Sequence, residues 1–111
     1  MTPQTNQEDK LAPLRKGLLE LAVLKVISGR AVYAADILER VCDTPFKTQE
    51  GTLYPLLSKL RREGAVSYEW VESPGGPPRK YYSLTSSGED TLKELSGYLK
   101  TLQTSINNLA K

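Results

Sequence analysis

The sequence predicts a mainly α-helical fold with one small β-hairpin, built as a single domain. Three observations predict it. The chain has 111 residues, one domain's worth of polypeptide. Apolar residues recur at helical spacing in four separate stretches. An alternation of period two occurs only on either side of one Pro/Gly cluster.

Residues 1–13 are expected to form a flexible N-terminal tail, because Met1 to Lys10 is polar and shows no hydrophobic period. Pro13 then opens a long helix that ends near Gly29, a residue suited to a C-terminal cap. Leu14, Leu18 and Leu21 lie on one side of it, and Leu19, Val23, Val26 and Ile27 on another. A helix with two apolar faces usually touches its own core and a partner. A shorter helix, about Tyr33 to Val41, places Ile37, Leu38 and Val41 at core spacing. Cys42 at its end reads first as a small buried hydrophobe, and otherwise as a redox-sensing thiol.

The third helix has the clearest pattern: Leu53, Leu56, Leu57 and Leu60 fill the i, i+3, i+4, i+7 positions. Its opposite face holds Gly51, Pro55, Ser58 and Arg62, flanked by Thr52, Tyr54 and Lys59. A start capped by Thr48 puts Pro55 in the second turn, where it orphans the carbonyl of Gly51 and should kink the helix. A start capped by Thr52 would place Pro55 harmlessly in the first turn. The earlier start is favoured. After Gly64, Val66, Tyr68 and Trp70 alternate with Ser67, Glu69 and Val71 as a half-buried strand, with Trp70 in the hairpin core. The cluster from Ser73 to Pro78 should break the strand, and Arg79 to Leu84 should return as a second one.

Ser86-Ser87-Gly88-Glu89 fits a capping box for a last helix. In that helix Leu92, Leu99 and Ile106 repeat every seven residues, as do Leu95, Leu102 and Leu109. This is an a/d seam of about two and a half heptads. Residues 86–111 are therefore expected to form a dimerisation helix, joined at the interface by Leu14, Leu18 and Leu21. The other reading folds the helix back on its own domain.

Composition excludes several classes of function. The chain has no histidine, which removes the Ser-His-Asp triad, the Cys-His dyad and every histidine metal site. With no Gly-rich phosphate loop and no metal-ligand cluster, no enzyme activity, metal or cofactor is expected. A single cysteine cannot close an intramolecular disulfide. The most apolar stretch, Leu18 to Ser28, is interrupted by Glu20 and Lys25 and follows no signal-peptide pattern, so the protein is expected in the cytoplasm and not in a membrane. The formal net charge is only +2, but it is localised. Residues 1–46 carry six basic and six acidic groups, and residues 83–111 three of each. Residues 47–82 carry six basic and four acidic groups, so the whole surplus lies in the middle third.

Helix, helix, helix, hairpin, helix is the order of a winged helix-turn-helix, expected over residues 14–85. An α-helix fits the major groove of DNA and presents side chains to base edges. A hairpin beside it can follow the backbone or enter the adjacent minor groove. Gly51 and Pro55 carry no side-chain donor, so the third helix can approach the groove wall closely. Base contacts would come from Gln49, Thr52, Tyr54, Ser58 and Lys59, with Thr48 at the helix start. Some specificity should then be indirect, through DNA shape. Arg79 and Lys80 suit phosphate contacts.

The stretch Glu50-Gly51-Thr52-Leu53-Tyr54-Pro55-Leu56-Leu57, then Glu63-Gly64, then Gly75-Gly76-Pro77-Pro78-Arg79-Lys80-Tyr81-Tyr82 and Leu84-Thr85 with Gly88, resembles the PadR family of bacterial transcriptional regulators. Arg15-Lys16-Gly17-Leu18-Leu19-Glu20 is similar to the family's first helix. The resemblance covers about Leu14 to Lys100 and matches the compact branch with one helix after the wing. It implies a homodimer that binds a pseudo-palindromic operator in double-stranded DNA and represses transcription. It places Glu50 to Pro55 in the major groove and Gly75 to Lys80, Gly75 and Gly76 at its tip, in the wing. Some members release DNA when a small aromatic compound binds near the dimer interface, which implies an effector or other signal. Where many members have Tyr-Gly-Tyr-Glu, this chain has Tyr33-Ala34-Ala35-Asp36. The alternative to DNA binding is a winged-helix module that holds a protein on the same surface, for which Glu50, Glu63, Glu69 and Glu72 speak.

Overall fold

Four helices and one hairpin follow each other in the expected order in a computed structural model, which describes the backbone of residues 3–110 and the side chains of residues 8–110. They are α1 (Pro3–Ser28), α2 (Ala34–Val41), α3 (Glu50–Arg62), β1 (Val66–Ser73), β2 (Gly76–Leu84) and α4 (Ser86–Asn108).

The first correction concerns the expected tail. Met1 and Thr2 lie outside the described residues, but α1 already begins at Pro3 and runs through Pro13. The polar segment from Gln4 to Lys10 contains good helix formers, and Arg15 reaches back about two turns to pair with Glu8. Polarity without an apolar face excludes a core helix, but it does not exclude a helical extension of one. Gly29 follows α1 directly but is not in the left-handed conformation. Ser28 instead turns its hydroxyl back to donate to the carbonyl of Lys25 at 2.7 Å.

The core forms where the helices meet the base of the hairpin. Val23, Leu24 and Ile27 of α1, Ile37 of α2, Leu53, Leu57 and Leu60 of α3, and Val66 and Tyr82 of the hairpin are all buried there. Leu56, Leu92 and Leu95 pack partly against this cluster. Cys42 lies outside it and is exposed, because α2 has already ended and the chain turns toward solvent. The buried-hydrophobe reading of Cys42 is therefore corrected.

Gln49, not Thr48, is the N-cap of α3, and its carbonyl accepts from Thr52 and Leu53 at 3.0 and 2.9 Å. Pro55 thus sits in the second turn of a helix that continues past it. The far end closes as a Schellman motif. Gly64 adopts φ +80°, its N–H donates to the Arg61 carbonyl at 3.0 Å, and the Ala65 N–H donates to the Leu60 carbonyl at 2.9 Å.

That turn is the seat of α4. The Thr85 hydroxyl donates to the Gly64 carbonyl at 2.5 Å, and the Thr85 N–H donates to the Ala65 carbonyl at 3.1 Å. Thr85 is also the helix N-cap, accepting from the Gly88 N–H at 3.0 Å, so the cap lies one residue before the expected Ser86. Gly88 then presses directly on the Ala65 carbonyl, which leaves no space for a Cβ. A capping box read from spacing alone could not register this tertiary contact.

The hairpin is longer than the Pro/Gly cluster suggested. β1 reaches Ser73, β2 starts at Gly76, and Ser73 pairs with Gly76 across Pro74 and Gly75. Gly75 adopts φ +70°, the conformation that follows proline in a type II turn. Pro77 and Pro78 fit within β2 because one faces the free side and both lie opposite the register shift between Val71 and Ser73, where the ladder is already interrupted. Ser73 fastens the tip by donating to the Pro77 carbonyl at 2.9 Å. One further pairing has no counterpart in the sequence reading. Val32, between α1 and α2, exchanges both backbone hydrogen bonds with Tyr82 at 3.0 and 2.6 Å and so anchors the hairpin to the helices.

Candidate nucleic-acid interface

The buried stripe of α3 fixes which residues it presents outward. With Leu53, Leu57 and Leu60 in the core, Gly51, Thr52, Tyr54, Pro55, Ser58, Lys59, Arg61 and Arg62 are all exposed. Gly51, Pro55, Ser58 and Arg62 form the crest. Tyr54, Ser58 and Arg61 face the hairpin, and Thr52 and Lys59 face α1. Gln49 is exposed and its side chain makes no cap hydrogen bond, while Thr48 is half-buried.

Two clefts separate α3 from the hairpin, and Ser58, Lys80 and Tyr82 line both. Arg61 and Arg62 close one, while Tyr33, Tyr54, Trp70 and Arg79 close the other. Strand alternation sends the two wing cations to opposite faces. Lys80 lies over the rings of Tyr68 and Trp70, 4.4 and 5.4 Å from their centroids, beside Arg61 at 4.5 Å from Tyr68. Arg79 lies over Tyr33 at 4.8 Å, and Tyr33 in turn packs on Tyr81 at 5.4 Å. The rings hold the charged heads of these side chains and so fix where each charge sits.

Trp70 is not hairpin core. It is 62% exposed, stacked edge-on against Tyr68 at 6.2 Å and opposite Lys80 in the register. The hairpin projects beyond the helices that bury its base: Val66 and Tyr82 are buried in the core, Tyr68 and Leu84 pack against it, and Trp70 lies beyond. Burial pushes the Tyr82 hydroxyl above its ordinary pKa, with Tyr54 and Tyr68 nearby, so it remains a neutral donor at physiological pH.

Lys59 is placed differently from the other cations. It pairs with Glu20 of α1 at 2.9 Å and with Glu63 at 3.2 Å. Gly75 and Gly76 stand exposed at the hairpin tip, as expected for a wing.

The residues expected at a dimer interface divide along α4. Leu92 and Leu95 pack against the chain's own core, and Leu18, Leu21, Leu95, Leu99 and Leu102 line a groove of about 260 Å³ between α1 and α4. Beyond it Leu14, Ile106 and Leu109 are exposed, the last two at 65% and 79%. The first half of α4 is folded back on the chain's own core, and its second half projects.

Sequence reasoning missed Tyr33 as a cation platform, because Arg79 is far from it in the chain. It also missed the pairing of Trp70 with Lys80: the Pro74-Gly75 turn alone sets Trp70 opposite Arg79, and the register shift between Val71 and Ser73 moves it by one residue to Lys80.

Comparison with known proteins agrees with this geometry. A PadR-like transcription factor from Bacteroides fragilis is 42% identical and superposes with a TM-score of 0.78, over 91% of this chain and 98% of that one. A PadR-like transcriptional regulator from Bacillus cereus is 32% identical with a TM-score of 0.79, over 90% and 98% of the two chains. A PadR family transcriptional regulator from Eggerthella lenta is 27% identical with a TM-score of 0.87, over 97% and 95%. Residues 23–94 match the Transcriptional regulator PadR-like family, and these residues hold the α3 crest, the wing and the seat of α4. The chain belongs to the PadR-like family of transcriptional regulators, winged-helix proteins of DNA-binding regulation.

Proposed function

We propose that the protein is a homodimeric repressor that binds a pseudo-palindromic operator and is released by a small molecule or another signal. In this reading residues 14–85 bind DNA and residues 86–111 dimerise. The α3 crest enters the major groove, with Gln49, Thr52, Tyr54 and Ser58 toward base edges. The wing lies along the neighbouring backbone, with Arg79 and Lys80 toward phosphates.

The observation that carries DNA binding is the joint exposure of the α3 crest and the cation- and ring-lined clefts beside it. A strand backbone passing from the major-groove helix to the wing would cross those clefts. The test is a salt titration of binding to the chain's own upstream DNA. With about eight phosphates contacted by the dimer, log K should fall against log salt with a slope near −7. Absence of binding at low salt would overturn the reading.

The shape of the chain supports the dimer. A compact chain of this length has a radius of gyration of about 13 Å, whereas this one has 16.5 Å. Its accessible surface is 8146 Å², against about 6,100 Å² for a typical folded monomer of this mass. The difference of about 2,000 Å² is more than one partner contributes to an ordinary interface. The projecting half of α4 and the exposed leucines of α1 carry the apolar part of it. Two copies would set their α3 helices about 34 Å apart, one turn of DNA. The α1–α4 groove supports a small-molecule signal, since it is apolar, carries Tyr98 as an aromatic wall and adjoins this interface.

A further inference from the structure

One ion pair joins the recognition helix to α1 across 39 residues of sequence. Glu20 Oε1 lies 2.9 Å from Lys59 Nζ, and Glu63 Oε2, one turn further along α3, lies 3.2 Å from the same ammonium. Lys59 followed by Glu63 at i+4 is the weaker order for a helical pair. Glu63 is also the more exposed of the two carboxylates, at 49% against 27%. Glu20 is therefore the principal partner. Both carboxylates hold the Lys59 pKa above its usual value, Glu20 foremost, so the lysine stays charged while its charge is consumed internally.

The two flanks of α3 consequently differ. On the hairpin side, Arg61, Arg62, Arg79 and Lys80 have no carboxylate within ion-pair distance among the described residues. On the α1 side, the cation expected to read bases is bound by two anions, and the trio carries a net −1.

We propose that Glu20 sets the strength of DNA binding by withholding Lys59 from the phosphate backbone on the α1 side of the recognition helix. The inference rests on the DNA-binding reading above. Lys59 stands beside the crest, between Pro55 and Arg62 in the helical net, and is half exposed. Once unpaired, its flexible stem can extend toward a strand that lies against the crest. Glu20 also lines the α1–α4 groove with Leu18, Leu21 and Tyr98, so this one side chain is shared between the groove and the recognition helix.

The experiment measures binding of the full chain to operator DNA and to an unrelated duplex across a salt series. Glu20→Gln should steepen the slope of log K against log salt by about 0.9 per subunit. It should tighten binding to both duplexes, by up to about eight-fold per subunit near 0.1 M salt on the same relation. Lys59→Gln should keep the wild-type slope, because that charge is already engaged. The double variant should behave like Lys59→Gln, which separates release of one lysine from a general change in net charge. An unchanged or shallower slope for Glu20→Gln overturns the proposal, as does a slope for Lys59→Gln shallower by about 0.9 per subunit. Should Glu20→Gln fail to fold, Glu63→Gln tests the same lysine and should steepen the slope in the same direction. Wild type that binds neither duplex at low salt overturns the DNA-binding reading itself, a failure visible without any variant.

Discussion

Replacing Gly88 by alanine should detach α4 from the winged domain, and the size of the effect follows from local geometry. A Cβ at position 88 would lie 1.9 Å from the Ala65 carbonyl oxygen and 2.9 Å from its carbon. Ordinary contact needs about 1.5 Å more. The obstacle is backbone, held in the Schellman turn by the Leu60 and Arg61 carbonyls. The start of α4 must therefore move away, and both Thr85 bonds to that turn weaken with it. Overpacking costs about 1–3 kcal/mol, and loss of the Thr85 anchor about 1 kcal/mol more. Alanine returns less than about 1 kcal/mol of helix propensity. The net is a loss of about 2 kcal/mol, or roughly 10 °C in melting temperature for a domain of this size. Gly97→Ala is the control. It lies on the same helix with nothing within 4 Å of the added carbon, on the outer side of the heptad. It should stabilise by about 0.5–1 kcal/mol. Urea and thermal unfolding of both variants at one protein concentration make the comparison. If Gly88→Ala were as stable as Gly97→Ala, the described seating of α4 would be wrong.

Three further outcomes follow from the surfaces. Leu102→Lys puts a charge into the proposed seam twice per dimer, at about 2 kcal/mol or more per copy, and should weaken dimerisation about a thousandfold. Light scattering that still finds a dimer would place the interface elsewhere. Arg79→Ala should weaken binding about equally on all duplexes and lower the salt slope by about 0.9 per subunit; an altered base preference contradicts its role as a phosphate contact. Trp70 is the only tryptophan and is exposed in the α3–wing cleft, so its fluorescence should be open to a soluble quencher in the free protein and shielded by operator DNA. Equal quenching at saturating DNA would remove the wing cleft from the interface.

The local periods in the sequence carried the element order, the buried face of α3 and the hairpin, because each depends on residues a few positions apart. The corrections share another origin. Thr85 replaces Ser86 as the cap because Gly88 must sit on Ala65, a contact across more than twenty residues. Trp70 is exposed because the hairpin outruns the core, which alternation within a strand cannot reveal. Lys59 was counted among the reading cations because its neighbours in sequence include only one of its two carboxylates. For α1, the polar start predicts no structure, although helix propensity and an i, i+7 ion pair support a helix through it. At the candidate site, the residue types on α3 were legible, but the engagement of Lys59 by Glu20 and Glu63 was not.

The α3 crest offers few polar side chains of its own, and Gly51→Ala isolates what it does. Of the crest residues only Ser58 and Arg62 bring polar side chains, so recognition depends on how closely the helix axis approaches the base edges. Gly51 is exposed, and an added Cβ meets nothing within 4 Å. The fold should therefore accept alanine and gain up to about 0.5 kcal/mol from helix propensity, less than mid-helix because Gly51 is in the first turn of α3. The same methyl projects from the crest into the space the groove wall would occupy. Binding should then weaken on the operator more than on unrelated DNA, because non-specific binding rests on phosphate charge and tolerates a small stand-off. A more stable protein with a reduced specificity ratio is the expected pair of results, read by thermal melting and by competition with unrelated duplex. A stabilised variant with unchanged specificity would mean that the crest does not approach the bases, and recognition would have to be assigned to the wing cleft instead.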